Sequence, residues 1–275
     1  MVTAGEQISG LLGTQDAVWV TVQAHRGSVP REAGAWMAVF ETVTVGSIGG
    51  GHLEWQAMAQ ARSQLSGQPG ERVQRYALGP SLGQCCGGEV FLEFERVSTQ
   101  DIPRLQQQFL AQQAQWPPVA LFGGGHVARA LVQVLQRLPF QVRWIDSRDP
   151  IFPEALPASI CTEHSEPVQG AVAALPPQSR VLIMSFSHAE DLDVVAACLQ
   201  RQRVRGDLPF VGLIGSRTKW ATFRHRLAAR GFGATELAQV TCPIGVPGIA
   251  GKAPEVIAVA VAAQLLQVLS STKEA

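Results

Sequence analysis

At 275 residues, 46% of them hydrophobic, the chain carries enough apolar material for two medium-sized domains, and two are expected. Its 22 Lys and Arg balance 22 Asp and Glu, so no overall field favours nucleic acid, and no basic block interleaved with aromatics supplies a local one. The longest apolar run, Val256 to Leu269, is interrupted by Gln264 and Gln267 and is short for a membrane span; the first residues, with Glu6 and Asp16, do not read as a secretory signal.

A soluble cytoplasmic protein is therefore expected, with no membrane partner. Five cysteines, an odd number without scaffold-like spacing, suit a reducing compartment in which thiols stay free. Of these, Cys161, Cys198 and Cys242 lie in apolar or strand-like surroundings and are expected to pack as small hydrophobes.

In chain order, Val18 to Ala24 alternates as a strand does, and Ala35 to Phe40 supplies its hairpin partner. Between them lies the charged loop His25 to Gly34, long enough to suggest a function. Val45-Gly46-Ser47-Ile48-Gly49-Gly50-Gly51-His52 then runs into a helix over about Leu53 to Leu65. Such a glycine-rich turn is either an anion nest at a helix start or a tight turn in which glycine relieves strain. Glu54 falls in the first turn of that helix, where the dipole favours a carboxylate. Arg72 to Leu78 and Glu89 to Val97 read as two further strands, the second with Val90, Leu92 and Phe94 alternating against glutamates. The loop joining them holds Cys85-Cys86 among glycines; adjacent cysteines are poorly placed for an unstrained disulfide. They suit accessible thiols that bind a soft metal, accept sulfur or respond to redox state, or else inert thiols buried in a turn.

A Gln-rich helix from Pro103 to Gln115 leads to Trp116-Pro117-Pro118, where prolines set the expected boundary between domains 1–116 and 117–275. Beyond it the pattern is strand-helix repeated: strands near Val119, Gln141, Ser159, Arg180, Phe210 and Val240, helices near Val127, Val168, Leu192 and Trp220, and a closing helix from Pro254 to Ser270. The runs Val181 to Met184 and Val211 to Ile214 are apolar throughout, as strands buried on both faces are. The expected fold is α/β: a C-terminal doubly wound, Rossmann-like parallel sheet after a smaller N-terminal α+β domain.

In such sheets ligands sit beyond the carboxyl ends of the strands. Val119 to Phe122 breaks on Gly123-Gly124-Gly125, and Gly123, Gly125 and Ala128 fit the G-x-G-x-x-[GA] spacing of a dinucleotide turn. Asp146 ends the next strand about twenty residues on, where a ribose-binding carboxylate is expected. The segments Ser185 to Asp191 and Gly215 to Lys219 reach the same edge: Arg217 and Lys219 offer positive charge, Ser216 a cap or a phosphate contact. His126, His188 and Asp191 are candidate acids, bases or hydrogen-bonding groups, provided they share one cleft.

With these residues assembled, the chain resembles the xanthine dehydrogenase accessory proteins, the XdhC/CoxI family. The resemblance rests on ordered blocks along both halves: Gly27 to Arg31 with Gly34, Gly46 to Gly51 with Glu54, Leu78 to Pro80 with Leu82 to Gly88, Phe122 to Val127, Ser187-His188 with Asp191, Ile214 to Arg217 with Lys219, and Pro243 to Gly245. The double-cysteine block is the most specific. Gly124 and Ala128 stand where the family often has alanine and glycine, a change that keeps the spacing.

The resemblance implies a molybdenum cofactor chaperone rather than an enzyme. Such a protein binds the cofactor, protects it while a cysteine desulfurase supports sulfuration, and delivers it to a xanthine dehydrogenase-type hydroxylase of purine catabolism. A homodimer is the expected assembly. On this reading Gly123, Gly125 and His126, with Arg217 and Lys219, hold the cofactor's phosphate, while Cys85 or Cys86 lies near molybdenum in a cleft between the domains. The rival reading is an NAD(P)-dependent oxidoreductase, resting on the glycine spacing and Asp146, with His188 and Asp191 as its best catalytic pair. A third is an interaction scaffold whose glycine turns are relics of the fold.

Overall fold

The computed structural model describes residues 4–78 and 88–273. The chain forms two compact units, Met1–Ala111 and Gln112–Ala275.

The first unit is a five-stranded antiparallel sheet covered on both faces. Its strands are β1 (Ala17–Arg26), β2 (Trp36–Val39), β3 (Thr44–Gly46), β4 (Val73–Ala77) and β5 (Glu89–Val97), in the order β3-β2-β1-β5-β4. Alternation along β1 sorts its side chains. Val18, Val20 and Val22 pack against Leu53, Ala57 and Ala61 of α2 (Gly51–Leu65). Ala17 and Trp19 face Ile8 and Leu12 of α1 (Ala4–Leu12) and Leu105 of α3 (Ile102–Ala114). The short α1 and the three-residue β3 go beyond the sequence expectations: α1 is too brief to establish a period, and β3 is largely absorbed by the glycine-rich turn that follows it.

The second unit is a six-stranded parallel sheet. In chain order come β6 (Pro118–Phe122), α4 (His126–Leu135), β7 (Gln141–Asp146), β8 (Ile160–His164), β9 (Arg180–Ile183), α5 (His188–Arg205), β10 (Phe210–Leu213), α6 (Arg217–Ala229), α7 (Ala234–Leu237), β11 (Val240–Thr241) and α8 (Pro254–Lys273). The spatial order is β11-β10-β9-β6-β7-β8, the 3-2-1-4-5-6 arrangement of a doubly wound fold. Apolar side chains cover both faces. Ala120, Phe122, Val181 and Val211 meet α5 and α6, while Val119, Leu121, Trp144 and Leu182 meet α4 and α8. The helix expected near Val168 is instead a 3-10 stretch, Val168–Ala174, held between a proline N-cap and the Leu175-Pro176 exit. Helix α4 stops at Leu135, so Leu138 packs against the core from beyond the helix.

Of the three cysteines expected to pack as hydrophobes, Cys198 is buried, and its burial pushes the thiol up to about 12. Cys242 is half-buried, and Cys161, on the edge strand β8, is exposed, so strand context alone did not decide burial. Among the described residues no helix is long and apolar enough to cross a membrane.

Candidate functional site

Strand β6 lies between β7 and β9, and the winding reverses there. The turn that follows β6 is built into the sheet. The Gly123 N–H donates to Ile145 O (2.7 Å), Trp144 Nε1 donates to Gly123 O (2.7 Å), and the Met184 N–H donates to Phe122 O (2.8 Å). Gly123 has φ 115°, and a Cβ on it would lie 2.0 Å from Met184 O. Only glycine fits. At Gly124 a Cβ would sit 2.4 Å from the Ile151 side chain. A Cβ at Gly125, by contrast, would meet nothing within 4 Å, and this residue caps α4 without any side-chain hydrogen bond. Among the described residues no side chain caps the first turn of α4, which lies at the positive end of the helix. Beside the turn, the Ser185 hydroxyl is buried with no hydrogen-bond partner among the described residues.

Asp146, 1% exposed, closes the turn from below. Its Oδ2 accepts the Gly124 N–H (2.5 Å) and Arg148 Nη2 (2.9 Å); its Oδ1 accepts the Arg148 N–H (2.9 Å) and Nε (2.8 Å). Burial alone would raise this carboxyl, but the Arg148 and Gly124 donors hold it below the ordinary carboxylate value. The carboxylate at the ribose position is therefore fully engaged within the chain. Arg129, from the fourth position of α4, braces the opposite side through Gly124 O (3.3 Å) and Ile151 O (2.9 Å).

The other predicted residues divide into engaged and free. Buried Asp191 accepts the Ser185 N–H (2.7 Å) and Lys219 Nζ (2.6 Å), and Nζ also donates to Ile214 O (2.9 Å). This pair ties the ends of β9 and β10 together, so both charges are spent on the fold. The Ser216 hydroxyl caps α6 by accepting the Lys219 N–H (3.1 Å). Arg217 is exposed, with no hydrogen bond or ion pair recorded among the described residues. His126 and His188 are both exposed: His126 borders a cavity of about 330 Å³ with Arg129, Trp144 and Pro254, whereas His188 meets the edge of Phe223 at 6.3 Å. Nothing joins the two histidines into one constellation among the described residues. Cys85 and Cys86 lie outside the described residues. At the ends of their segment, the Leu78 N–H donates to Gly88 O (2.7 Å), and a Cβ at Gly88 would lie 2.3 Å from Ser28 O. Leu78 and Gly88 are thus hydrogen-bonded to each other, with Gly88 against the Arg26 to Ser28 backbone. Among the described residues no group of three His, Cys, Asp or Glu could hold a metal ion.

The glycine-rich turn of the first unit is filled from within. Glu54 Oε2 accepts the Ser47 hydroxyl (2.6 Å) and the N–H groups of Ile48 (3.0 Å) and Gly50 (3.1 Å). A carboxylate of the chain itself occupies that nest.

Sequence reasoning missed Trp144, Arg129, Arg148, Phe186 and Glu190. Ser147 Oγ donates to Glu190 Oε1 (2.7 Å), the Phe186 N–H donates to Glu190 Oε2 (3.1 Å), and the Arg148 guanidinium lies 4.3 Å from the centre of the Phe186 ring. An arginine two residues past the strand-end Asp146 and a lone aromatic within Ser185-Phe186-Ser187 were the available signals.

The fold and this turn define a Rossmann-type domain with its ligand edge at the β6–β9 switch point. Family models agree with both halves: the XdhC Rossmann domain over residues 119–265, and the XdhC and CoxI family over residues 11–77. The chain belongs to the XdhC/CoxI family. A similar protein is the Uncharacterized protein YqeB of Escherichia coli (strain K12), 26% identical over 251 residues. That alignment covers 88% of this chain but 42% of YqeB, so the chain spans about two fifths of its relative's length. A crystal structure from Bacillus halodurans, described as a xanthine dehydrogenase, superposes with a TM-score of 0.75 at 19% identity, over 98% of this chain and 96% of that one. At that identity the likeness concerns the fold, which the two share along nearly their whole lengths.

Proposed function

We infer that the chain is a carrier in the maturation of xanthine dehydrogenase-type hydroxylases. It binds molybdenum cofactor, keeps it available for sulfuration by a cysteine desulfurase, and delivers it to the hydroxylase. The observation that carries this reading is the open, uncapped turn at Gly125 in the Rossmann unit of an XdhC-family chain.

The residues fit the phosphate end of the cofactor. Gly123 and Gly124 leave no room for side chains, Gly125 leaves the α4 N-terminus clear for an anion, and the buried Ser185 hydroxyl has a bond to give. Arg217 supplies free positive charge on the same edge of the sheet, while Lys219 acts by fixing Asp191 and the strand ends. The cofactor brings its own dithiolene to hold molybdenum, so the protein need supply only soft or polar groups nearby; Cys85 and Cys86 are the sequence's candidates. A dinucleotide reading has the glycine spacing and Asp146 in its favour, but both oxygens of Asp146 are taken by Gly124 and Arg148.

The test is to purify the protein anaerobically from a host that makes molybdenum cofactor and to quantify bound pterin and molybdenum. Near-stoichiometric amounts of both are expected, falling in Cys85→Ser and Cys86→Ser variants. Protein free of both would overturn the reading.

A further inference from the structure

Because β6 lies between β7 and β9, any contact joining the loop after β7 to the loop after β9 must pass over the end of β6, a span of about 10 Å. Two contacts do so: Ser147 with Glu190, and Arg148 with Phe186. They cross over the Gly123-Gly124 turn at the end of β6, the place where a ligand of such a sheet would sit. The two ties differ in kind. Ser147 and Glu190 form an ordinary hydrogen bond that also fixes the Phe186 backbone. The second tie is a large apolar ring, 65% exposed, kept at the rim of a polar crevice with a guanidinium against one face. Asp146 clamps that guanidinium by Nε and Nη2, which leaves the Nη1 donors without a hydrogen bond among the described residues.

We propose that Arg148 and Phe186 are the specificity-determining clasp of this crevice, selecting a flat fused heterocycle that carries a phosphate. The inference rests on the reading of the crevice as a phosphate-bearing cofactor's site and adds the residues that choose the cofactor's ring. The Phe186 ring takes the heterocycle by stacking on its face. Arg148, held in place by Asp146, directs its free donors to the phosphate near Gly125. The ring is open to approach; the Glu190 hydrogen bond holds the Phe186 backbone, and the Arg148 guanidinium lies against one face of the ring. The clasp thus stands ready before any ligand arrives.

The experiment titrates the isolated full chain with AMP, a fused bicyclic heterocycle with one phosphate, and separately with inorganic phosphate. The same variants are also assayed for pterin carried from the host. The parent is expected to bind AMP at least tenfold more tightly than phosphate. Phe186→Ala should abolish that preference, Phe186→Tyr should restore it, and Arg148→Gln should weaken both ligands together. Equal binding of AMP and phosphate by the parent, absence of binding by either, or an undiminished preference in Phe186→Ala would each overturn the clasp. The cofactor reading fails separately: a parent that prefers AMP through Phe186 but emerges without pterin or molybdenum keeps the clasp and loses the cofactor. Conversely, a parent rich in pterin whose AMP preference ignores Phe186 keeps the cofactor and loses the clasp.

Discussion

The two glycine-rich turns, Ser47 to Gly51 before α2 and Gly123 to Gly125 before α4, read almost alike in sequence and end in opposite states. Each follows a strand, each opens a helix, and each has glycine at positive φ, Gly49 to Gly51 in the first and Gly123 in the second. The difference lies at the fourth helical position. In α2 it is Glu54, whose carboxylate folds back onto Ser47, Ile48 and Gly50 and fills the nest. In α4 it is Arg129, which grips the carbonyls of Gly124 and Ile151 and leaves the N–H groups free. A glycine-rich strand-turn-helix thus announces an anion site only when the helix does not bring its own anion.

Substitutions in the two turns test this contrast. The largest effect is expected from Gly123→Ala, which combines φ 115° with a Cβ 2.0 Å from Met184 O. A loss of at least about 3 kcal/mol should appear in denaturant titration followed by tryptophan fluorescence. Gly125→Ala, with φ −71° and open space, should stay within about 0.5 kcal/mol in the same assay. Next comes Glu54→Ala, which strands the Ser47, Ile48 and Gly50 donors at a cost of about 1.5–3 kcal/mol. Added sulfate should raise this variant's melting midpoint more than the parent's; equal responses would mean that Glu54 does not occupy an anion nest.

The exchange in the other direction is Arg129→Glu, which loses two hydrogen bonds to carbonyls and about 1 kcal/mol of stability. Its main effect should be on cargo: pterin recovered with the protein should drop roughly tenfold, the equivalent of 1.4 kcal/mol. The smallest effect concerns acid. Asp146 is held below its ordinary value of 3.8, so its contribution to stability is complete above that pH and is lost as pH falls through the lower folded-state value. Arg148→Gln removes the chief partner. The gap in melting midpoint between parent and variant should be full at pH 7 and close progressively below about pH 4. A gap that stays constant down to pH 2 would break the assignment.

The sequence made the parallel sheet legible because strands buried on both faces are apolar throughout, as Val181 to Ile183 are. Gly123 and Asp146 were visible because the fold demands particular residue types at fixed spacing. What stayed hidden depends on strand order. Arg148 and Phe186 are 38 residues apart in sequence, and only the β7-β6-β9 arrangement brings them together. Lys219 and Asp191 each looked like a ligand because a charge at a strand end reads the same whether it faces solvent or a buried partner. Glu54 was noted for its place in the first turn of its helix, but its reach back to the loop depends on a side-chain conformation that no spacing encodes.

The way the Gly123 turn is bonded to β6, β7 and β9 together also bears on the tempo of exchange. With the turn fixed to the strands, the carrier reading proposed above puts loading and unloading at the two ties over it, the Arg148–Phe186 contact and the Ser147–Glu190 hydrogen bond, each costing about 1 kcal/mol to part. Exposed side chains such as Phe186 change rotamer in picoseconds to nanoseconds, so on that reading the ties would part far faster than two proteins separate. Cargo hand-off at this edge would then be timed by the encounter with the acceptor rather than by the carrier's own opening.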